Sequence, residues 1–514
     1  YATLASPSPE LHQMFDEAVE RVKKNFGQTF PMYIDGEEVT AEETFTKRSP
    51  VDRDLIMGHF QKGTKEHVER AVAAAKEAFA EWRRTPWQER VDLMYKAADN
   101  ISDRLFDIAA VMSLEVGKNR LEALGDVEET ADLIRWYAAQ MEQNNGFVVE
   151  MERESERHRN VSRLRPYGVW AVISPFNFPF ALAGGPSGGA LVAGNTVVFK
   201  PASDTAYTGW LLTECFRDAG LPDGVFNFVT GGGRAVGQPL VDHPDVAGIT
   251  FTGSYEVGMS IYRQFAGGPY PRPCIAEMGG KNPSIISKKA DLDKAARGVM
   301  RSAFGLQGQK CSANSRVYVH KDVKEAFMDK LLDLTEQIQV GDPTEEENWM
   351  GPVINESAYE DYKRFVEELR EAGEIVYGGE AMEEVGGKRG FYVTPTIVEN
   401  LPHEHELWQR EMFLPIVTIE SFSEMDAAME KANESEYGLT AGFYSEDEEE
   451  VDWFLDNIEA GVVYVNREAG ATTGAWPGYQ PFGGWKASGS TGKAGGGRYY
   501  VQQYMHEQSQ TVID

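Results

Sequence analysis

Cysteine is scarce in this sequence: a chain of 514 residues contains three, at Cys215, Cys274 and Cys311. Three cysteines this far apart cannot form the disulfide framework that is typical of small secreted domains. We therefore expect free thiols, a reducing compartment and a cytoplasmic protein.

Long hydrophobic stretches are also missing, since no run of eighteen or more apolar residues occurs. The first residues, Tyr1–Pro7, lack the basic region followed by an apolar region that marks a secretory signal. We expect neither a membrane span nor a membrane partner.

Positive charge is in deficit, with 50 Lys and Arg against 81 Asp and Glu, for a net charge of −31. This balance argues against nucleic acid or an anionic membrane surface as a partner. Acidic residues are densest at 445–450 and 344–347. Two interpretations stay open: a well-solvated surface, or adaptation to high salt, where screening weakens self-repulsion.

Histidine contributes nine residues, and none of them shows the spacing of metal ligands. His403 and His405 are two positions apart on an acidic segment that reads as an exposed turn. We predict no metal site.

The residue pattern predicts an α/β protein of two or three domains. Lys65 to Trp82 places apolar residues on one helical face, and Gln88 to Val116 repeats that pattern over a longer stretch. Short apolar runs that predict strands alternate with helical stretches such as Thr205–Ala219, which Gly220 closes; these runs are Val169–Ile173, Thr196–Phe199, Val225–Val229 and Ile249–Phe251. Alternating strands and helices favour a parallel sheet covered on both faces.

A second α/β unit follows from Asp291 to Gly483, with helices predicted over Lys324–Gln337 and Tyr359–Ala372 and a strand over Gly461–Asn466. Residues 145–165 read as a hairpin, and Tyr499–Val512 reads as an exposed strand. Because an exposed edge strand invites pairing with another chain, we predict a homo-oligomer built from dimers.

Candidate chemistry centres on Cys311, which lies among small and polar residues, and on Glu277, which precedes Gly279 and Gly280. A thiolate can attack a carbon centre, and glycines let the backbone bend beside a carboxylate. Taken singly, such residues are more often a small buried cysteine and a turn glutamate.

A third segment, Ala171–Pro179, is an apolar strand that ends at Ser174-Pro175 and is followed by Asn177 between Phe176 and Phe178. The two aromatic residues could simply be core. An amide side chain just beyond the end of a strand is a plausible oxyanion donor.

These three segments resemble the aldehyde dehydrogenase superfamily, and further segments match it in family order: Asn195, Lys200–Thr205, Phe251–Gly258, Glu411–Phe413 and Gln480–Lys486. The resemblance implies a Rossmann-variant cofactor domain, an α/β catalytic domain and a small β oligomerisation element. The boundaries it suggests are 1–144 and 166–288 for the cofactor domain, 289–485 for the catalytic domain, and 145–165 with 486–514 for the β element.

By the same resemblance, Cys311 is the nucleophile, Glu277 is the general base, and Asn177 with the Cys311 backbone amide forms an oxyanion hole. The implied cofactor is NAD or NADP and the implied substrate is a small aldehyde. The residues implied to bind the cofactor are Ser174, Pro175, Phe176, Lys200, Ser203, Gly233, Gly253, Ser254, Gly279, Glu411 and Phe413.

Two features of the cofactor segments depart from common patterns. The glycine run Gly231–Gly237 is only a weak dinucleotide signal, so the resemblance assigns the pyrophosphate to Gly253-Ser254 and the helix start that follows. Leu414 stands before Pro415, where many relatives have glycine.

A third departure is Ser203, where many relatives have glutamate. A serine removes a charge that would repel a 2′-phosphate, and Lys200 nearby supplies a positive one. Asp204 is expected to cap the next helix and to face solvent. We therefore predict that NADP is accepted as well as NAD.

For the substrate, the chain most resembles the family members that oxidise glutamate semialdehyde in proline catabolism, on Gln307–Ser312, Thr473–Ala475, Gln480–Gly484 and Gly489–Gly497. The implied substrate-binding residues are Phe178, Ser312, Gly474, Ala475 and Phe482, with the Gly474-Ala475 amides holding the α-carboxylate.

Alternatives to that substrate stay open. One alternative is that residues 472–475 form only a glycine-containing loop, and Arg467–Thr473 is longer than expected for that group. The other candidates are a dehydrogenase of succinic or 2-oxoglutaric semialdehyde, a broad aldehyde dehydrogenase, and a non-catalytic binding protein on the same fold.

Overall fold

The computed structural model describes residues 7–471 and 476–514. Helices and strands alternate along most of this chain. The helices are α1 (Pro9–Lys23), α2 (Lys65–Trp82), α3 (Trp87–Asp103), α4 (Leu105–Val116), α5 (Arg120–Gln143), α6 (Ala181–Ala193), α7 (Ala206–Ala219), α8 (Gln238–Asp242), α9 (Tyr255–Ala266), α10 (Leu292–Phe304), α11 (Lys324–Glu336), α12 (Glu356–Ala372), α13 (Met425–Asn433) and α14 (Glu448–Asn457).

The strands fall into two seven-stranded sheets and several smaller ones. Those before residue 280 are β1 (Thr29–Phe30), β2 (Met32–Ile34), β3 (Glu37–Val39), β4 (Thr44–Arg48), β5 (Ile56–Gln61), β6 (Val148–Glu150), β7 (His158–Pro166), β8 (Val169–Ile173), β9 (Thr196–Lys200), β10 (Phe226–Phe228), β11 (Val246–Thr252) and β12 (Cys274–Glu277). Those after it are β13 (Asn282–Ile286), β14 (Asn314–His320), β15 (Glu374–Tyr377), β16 (Ala381–Val385), β17 (Lys388–Val393), β18 (Thr396–Glu399), β19 (Ile416–Phe422), β20 (Tyr437–Gly438), β21 (Thr440–Tyr444), β22 (Val462–Val465), β23 (Trp485–Lys486) and β24 (Met505–Ile513).

The first large sheet has the order β12-β11-β8-β9-β10-β2-β3, and its strands from β12 to β10 are parallel. The second has the order β15-β18-β19-β14-β13-β21-β22 and is parallel from β18 to β22. All residues of β9 are buried, which is why Thr196–Phe199 reads as an apolar run and not as an alternating pattern. The strands β13 and β21 are also buried throughout. The predicted α/β fold class is confirmed.

The chain passes from the first sheet to the second within a few residues. β12 ends at Glu277 and β13 begins at Asn282, so the sheets meet at Met278-Gly-Gly-Lys281. The chain therefore leaves the first sheet slightly before residue 288, where we predicted that the cofactor domain ends. The connection brings the carboxyl edge of the first sheet against the amino edge of the second.

One predicted helix is wrong in length. The stretch Gln88 to Val116 is divided into α3 and α4 because Arg104 leaves helical geometry, with φ −104° and ψ 13°. The Arg104 guanidinium lies 2.7 Å from the Glu214 carboxylate of α7, and the Asn100 amide donates to the Cys215 carbonyl at 3.1 Å. Helical periodicity in a sequence cannot reveal such contacts with a distant helix.

A small sheet of order β24-β7-β6 lies apart from the two large ones. The predicted hairpin at 145–165 is present as β6 and β7. The predicted strand over Tyr499–Val512 is correct only from Met505, where β24 begins. Residues Val501–Tyr504 form a 3-10 turn instead, because Tyr500, Val501 and Tyr504 are buried.

Helix α6 packs unusually close to α5 because four of its residues are glycines that face the larger helix. A Cβ at Gly184 would lie 2.3 Å from the Thr130 side chain, and one at Gly188 would lie 2.8 Å from Ile134. This close approach holds α5 against the edge of the sheets where candidate site residues gather.

Among the residues that the structure describes, no helix is both long enough and apolar enough to cross a membrane.

Candidate active site

The parallel strands β8, β9, β11 and β12 end side by side. Ile173 pairs with Lys200 and Phe251, and Phe251 pairs with Ala276. Ligands of open α/β sheets bind beyond the carboxyl ends of the strands. Glu277 is the last residue of β12, and Asn177, Gly253 and Ser254 follow β8 and β11, so these four predicted residues gather at one sheet edge.

Cys311 lies in the loop before β14, and backbone contacts hold that loop in place. The Asn282 side chain donates to the Cys311 carbonyl at 2.6 Å and to the Ala313 carbonyl at 2.9 Å. A Cβ at Gly280 would lie 2.4 Å from the Cys311 carbonyl oxygen, so this approach requires glycine. The thiol is therefore positioned through its backbone and not through its own side chain.

The approach to Cys311 is strained. Leu306, Gln307 and Gly308 have φ of 48°, 56° and 67°, a left-handed run that costs about 1–3 kcal/mol for each residue other than glycine. The Gln307 side chain offsets this cost by donating to the carbonyls of Gly117 at 3.0 Å and Pro352 at 2.6 Å. Such strain is typical of functional loops.

Two cavities meet at Cys311. The first, here called the glycine-lined cavity, is bounded by Pro175, Phe176, Asn177, Ala202, Thr252, Gly253, Ser254, Met278, Gly279, Cys311, Glu411 and Phe413. The second, here called the aromatic cavity, has as its main lining residues Glu129, Tyr137, Phe178, Glu277, Cys311, Phe482 and Tyr500. The thiol is thus open to ligands from two sides.

Glu277 lines the aromatic cavity, and its Oε2 accepts a hydrogen bond from the Gly484 amide at 3.2 Å. Burial raises the pKa of Glu277 to about 8, and the Gly484 amide opposes this only in part. A carboxyl group with this pKa can gain and lose a proton near neutral pH, as a general base must.

Glu411 is on the opposite side, in the glycine-lined cavity. Its Oε1 accepts from the Gly280 amide at 2.9 Å, and a Cβ at Gly279 would lie 2.2 Å from Oε2. Burial raises the pKa of Glu411 to about 7, opposed by the Gly280 amide and the Lys281 ammonium. Gly279 and Gly280 therefore allow the Glu411 carboxylate to approach the backbone closely, and Gly280 does the same for the Cys311 loop.

Burial raises the pKa of the Cys311 thiol to about 12, and the charges of Glu411 and Glu277 add to the effect. The thiol is therefore protonated at neutral pH in this arrangement. Reaction requires that a neighbouring carboxylate take the proton or that a bound positive charge stabilise the thiolate. The Cys311 thiol can therefore stay unreactive until a ligand binds.

Asn177 is 3% exposed and lines the glycine-lined cavity with Cys311. Phe176 and Phe413 form part of the same wall and pack edge to face, with ring centroids 5.8 Å apart. Leu414 is buried, and its carbonyl approaches Gly308 so closely that a Cβ there would lie 2.2 Å away. Leucine before Pro415 therefore serves packing, while Glu411 and Phe413 still face the cavity.

Lys200, Ser203 and Gly233 are not among the lining residues of either cavity within the described chain, although Ala202 is. The Lys200 ammonium donates to the Pro201 carbonyl at 2.9 Å, and burial lowers its pKa to about 8. Ser203 and Gly233 are exposed.

The prediction that Asp204 caps α7 and faces solvent is wrong. Its carboxylate lies 3.4 Å from the Lys47 ammonium and accepts from the Asn355 amide at 3.0 Å. The first amides of α7 donate instead to the buried Glu115 carboxylate, at 2.8 Å from Tyr207. A distant helix supplies the cap, so Asp204 can pair elsewhere.

The predicted serines differ in their surroundings. The Ser254 hydroxyl accepts from the Val257 amide at 3.4 Å and so caps α9. The hydroxyls of Ser174 and Ser312 are buried without a hydrogen-bond partner among the described residues. Gly474 and Ala475, the predicted carboxylate-binding pair, lie outside the described residues.

Sequence reasoning missed three ionisable residues of the aromatic cavity: Glu129 and Tyr137 of α5 and Tyr500 before β24. A signal for the first was present, because acidic residues recur on the buried face of α5 at Glu122, Asp126 and Glu129. Charged groups on a buried face require a partner or a function. No comparable signal marks Tyr500.

No cluster of three or more His, Cys, Asp or Glu side chains suited to a metal occurs within residues 7–471 and 476–514.

Comparison with known proteins gives a consistent result. The family model described as "Aldehyde dehydrogenase family" matches residues 37–510. A 1-pyrroline-5-carboxylate dehydrogenase of Geobacillus sp. (strain WCH70) is 38% identical over 504 residues, covering 97% of this chain and 96% of that protein.

Solved structures are equally similar. The 1-pyrroline-5-carboxylate dehydrogenase from Thermus with bound NAD superposes with a TM-score of 0.94 at 35% identity, covering 99% of this chain and 98% of that one. An NADP-dependent enzyme of E. coli gives a TM-score of 0.87 at 31% identity and covers 96% of this chain and 99% of that one.

Proposed function

The chain belongs to the aldehyde dehydrogenase family, and from this premise we propose that it oxidises L-glutamate 5-semialdehyde, formed from 1-pyrroline-5-carboxylate, to L-glutamate with NAD or NADP. This reaction belongs to proline catabolism, and similar proteins of this length are named for it.

One observation carries the proposal: Cys311 lies where the glycine-lined and aromatic cavities meet, with Asn177 in the first and Glu277 in the second. A cofactor and an aldehyde can therefore approach the same sulfur atom from opposite sides. We assign Cys311 as the nucleophile, Glu277 as the general base, and Asn177 as an oxyanion donor.

In the first half of the reaction, the Cys311 thiol loses its proton to solvent water, the thiolate being favoured by the positive charge that bound NAD or NADP would bring, and Sγ then bonds to the aldehyde carbon. The carbonyl oxygen becomes an oxyanion, to which the Asn177 amide and the Cys311 N–H donate. Bound NAD or NADP supplies the hydride acceptor. When the hydride leaves the carbon, the carbonyl re-forms and the acyl group remains on Cys311 as a thioester.

In the second half, Glu277 takes a proton from a water molecule in the aromatic cavity. The hydroxyl adds to the thioester carbon, and the carbon–sulfur bond breaks to release the acid and the Cys311 thiolate. The Glu277 pKa of about 8 suits this transfer, because a base works best when its pKa is near the operating pH.

The glycine-lined cavity fits a dinucleotide. Gly253 and the N-terminus of α9 offer backbone amides and a positive helix end to a pyrophosphate, while Phe176, Glu411 and Phe413 form the wall nearer Cys311. Pro175, Ser174 and Gly279 complete that wall in our assignment. Lys200 would face the adenosine ribose beyond the rim.

The aromatic cavity fits an amino-acid aldehyde. Phe178 and Phe482 line it for the aliphatic chain, and Glu129 places a carboxylate there that suits the substrate ammonium. The buried Ser312 hydroxyl has no partner among the described residues, so it can donate to the α-carboxylate. We assign the amides of Gly474 and Ala475 to the same carboxylate.

The first prediction concerns substrate choice. Glutamate semialdehyde should exceed propanal in catalytic efficiency by at least about 100-fold. Propanal lacks the carboxylate and the ammonium, so the buried groups that bind these charges would be left without partners. The measurement is reduced-cofactor formation with a panel of aldehydes. Equal efficiency for propanal would leave a broad aldehyde dehydrogenase, and higher efficiency for succinic semialdehyde would favour that second candidate.

Glu129→Gln provides the matched control, because it removes one charge without changing shape. It should lower the efficiency for glutamate semialdehyde by about tenfold or more, the scale of a hydrogen bond to a charged group. Efficiency for propanal, which has no ammonium, should stay within about twofold. A parallel loss for both aldehydes would mean that Glu129 acts on the fold.

The second prediction concerns the cofactor. The native enzyme should use both NAD and NADP, because Ser203 carries no charge, Asp204 is paired with Lys47, and Lys200 is protonated below its pKa of about 8. Ser203→Glu should reduce efficiency with NADP by at least about tenfold through repulsion of the 2′-phosphate, with little change for NAD. Ser203→Ala is the uncharged control. If the native enzyme ignores NADP, or Ser203→Glu uses it equally well, Ser203 does not control this choice.

We also propose a homo-oligomer built from dimers. β24 lies at one edge of its sheet and carries exposed Val512 and Ile513, which favour pairing with a second copy. Light scattering tests this, and a monomeric mass would exclude it. The three free cysteines support a reducing compartment, and we propose the cytoplasm.

A further inference from the structure

The carboxylates on the buried face of α5 accept hydrogen bonds from two different parts of the candidate site. Glu122 Oε1 accepts from the amide of Leu306, in the strained approach to Cys311, at 2.8 Å. One turn farther along the helix, Asp126 Oδ1 accepts from the Ala181 amide at the start of α6, also at 2.8 Å. Helix α5 therefore contacts both the Cys311 loop and the segment between β8 and α6.

Asn177 lies in that second segment, and its side chain makes no hydrogen bond to another residue within the described part of the chain. It is 3% exposed and lines the glycine-lined cavity. The amide is thus available to a ligand, but its direction depends on the backbone and on the residues beside it. The contacts that hold Phe178 and Ala181 therefore determine where the Asn177 amide points.

Lys118, two residues after the end of α4, holds the residue next to Asn177. Its ammonium lies 3.7 Å from the centroid of the Phe178 ring and 2.8 Å from Asp126 Oδ2. Both charged side chains are fully buried, and a cation binds an aromatic face more strongly when it is desolvated. One carboxylate therefore holds both the Ala181 amide and the ammonium that contacts the Phe178 ring.

The backbone on either side of Lys118 is bound to the second half of the chain. The Gly117 carbonyl accepts from the side chain of Gln307, which belongs to the strained loop, at 3.0 Å. The Asn119 side chain donates to the Trp349 carbonyl at 2.8 Å. Lys118 therefore connects the strained loop, through its backbone neighbours, with the segment after β8, through its side chain.

Stability alone does not explain a fully buried ion pair. Taking two charges out of water costs free energy that their attraction often only balances, and neutral residues of similar size can be equally stabilising. Burial raises the pKa of Asp126, and the Lys118 ammonium and the Ala181 amide oppose that rise. The charged form of Asp126 thus depends on the same contacts that hold the segment in place.

We propose that Lys118 and Asp126 are positioning residues that set the direction of the Asn177 amide relative to Cys311. The oxyanion that forms on the aldehyde then lies within reach of that amide. Neither Lys118 nor Asp126 is among the described lining residues of the two cavities, so both act through the segment that they hold. This inference rests on the proposed function and adds two residues to its first half.

The test replaces the ion pair by neutral side chains of similar size. Lys118→Met combined with Asp126→Asn removes both charges together, so no unpaired charge is left buried, and it keeps an acceptor for the Ala181 amide. The burst rate of reduced cofactor at saturating glutamate semialdehyde should fall about tenfold, because a misplacement of about 1 Å can cost about 100-fold. Cofactor affinity should stay within about twofold of native.

A second pair of substitutions extends the series. Lys118→Met combined with Asp126→Ala also leaves the Ala181 amide without its acceptor, so the burst rate should fall further, to about 100-fold below native. The fall should be the same with propanal, because every aldehyde forms the oxyanion. If this second pair does not fold, the first pair carries the test.

Iodoacetamide distinguishes a misdirected Asn177 from a damaged Cys311 loop. It alkylates a thiolate by displacing iodide: a carbon–sulfur bond forms, the carbon–iodine bond breaks, and no oxyanion develops. The alkylation rate of Cys311, measured by mass spectrometry of the peptide that contains it, should stay within about twofold of native in both paired variants.

A double-mutant cycle with Asn177→Ala gives the decisive comparison. Asn177→Ala alone should lower the burst rate by about 100- to 1,000-fold, the cost of losing one oxyanion donor. Adding Lys118→Met and Asp126→Asn to it should lower the rate by less than about twofold more, since the donor that they direct is already gone. The matched control is Arg104→Met with Glu214→Gln, an ion pair of 2.7 Å outside the described lining of both cavities, which should leave the burst rate unchanged.

A native burst rate in the folded paired variants would overturn the inference, and so would parallel falls in burst rate and alkylation rate. An equal loss in the Asn177→Ala background would also overturn it, because the pair would then act on the fold as a whole. Absence of any burst in the native enzyme, or a native burst rate in Asn177→Ala alone, would instead contradict the proposed function.

Discussion

Cys311→Ala is expected to abolish aldehyde oxidation, with a loss of about 10,000-fold or more, the scale seen when a catalytic nucleophile is removed. Three described residues, Thr252, Met278 and Cys311, line both cavities, and Cys311 is the one among them that carries a thiol. The fold should persist, because the loop is held by Asn282 and Gly280 through the Cys311 carbonyl and not through its thiol.

The measurements are reduced-cofactor formation, cofactor titration by fluorescence and thermal unfolding. Cys215→Ala is the matched control: Cys215 is also free but is fully buried in α7. It should retain activity despite some loss of stability. Steady-state oxidation by Cys311→Ala at even a few per cent of the native rate would remove Cys311 from the mechanism.

Glu277→Gln is expected to give one equivalent of reduced cofactor per active site and then to stop, with steady-state turnover lower by about 100- to 10,000-fold, the range for loss of a general base. The amide can still accept from the Gly484 N–H, so its position should be kept. Rapid mixing with aldehyde and cofactor separates the burst from the turnover. A normal steady state would exclude Glu277 as the base.

The pH dependence follows from the same group. Glu277 acts as a base only when it is deprotonated, so native kcat should rise as the pH passes through about 8 and level off above it. Glu411→Gln is the control on the other side of Cys311. It should slow the burst, because Glu411 lines the glycine-lined cavity, and should leave the thioester hydrolysis step unaffected.

Local sequence predicted the elements whose residues are buried on both faces or on one regular stripe. β8 was expected at Val169–Ile173 and α2 at Lys65–Trp82, and both have these bounds. In such elements the apolar pattern, the periodicity and the burial all agree. The prediction failed at Arg104, which leaves helical geometry where the local pattern would continue the helix, and whose guanidinium lies 2.7 Å from the Glu214 carboxylate of α7.

The candidate site also has a part that the sequence predicted and a part that only the structure shows. Cys311, Glu277 and Asn177 were singled out from short segments beside glycines or a strand end, and the resemblance of those segments to the family implied their roles. Their assigned roles remain a proposal. Glu411 was identified from its segment, but its seat on Gly279 and Gly280, more than 130 positions away, was not.

By itself the sequence determined the fold class, the family and the residues that short segments carry, because these depend on backbone geometry and burial over a few turns of chain. Tertiary structure alone decided that Asp204 pairs with Lys47 and that Glu129 reaches the cavity. It also decided that hydrogen bonds connect Tyr500 through Tyr504 and Thr250 to Trp170. Each of these depends on the relative position of elements far apart in sequence, and local propensity carries no information about those distances.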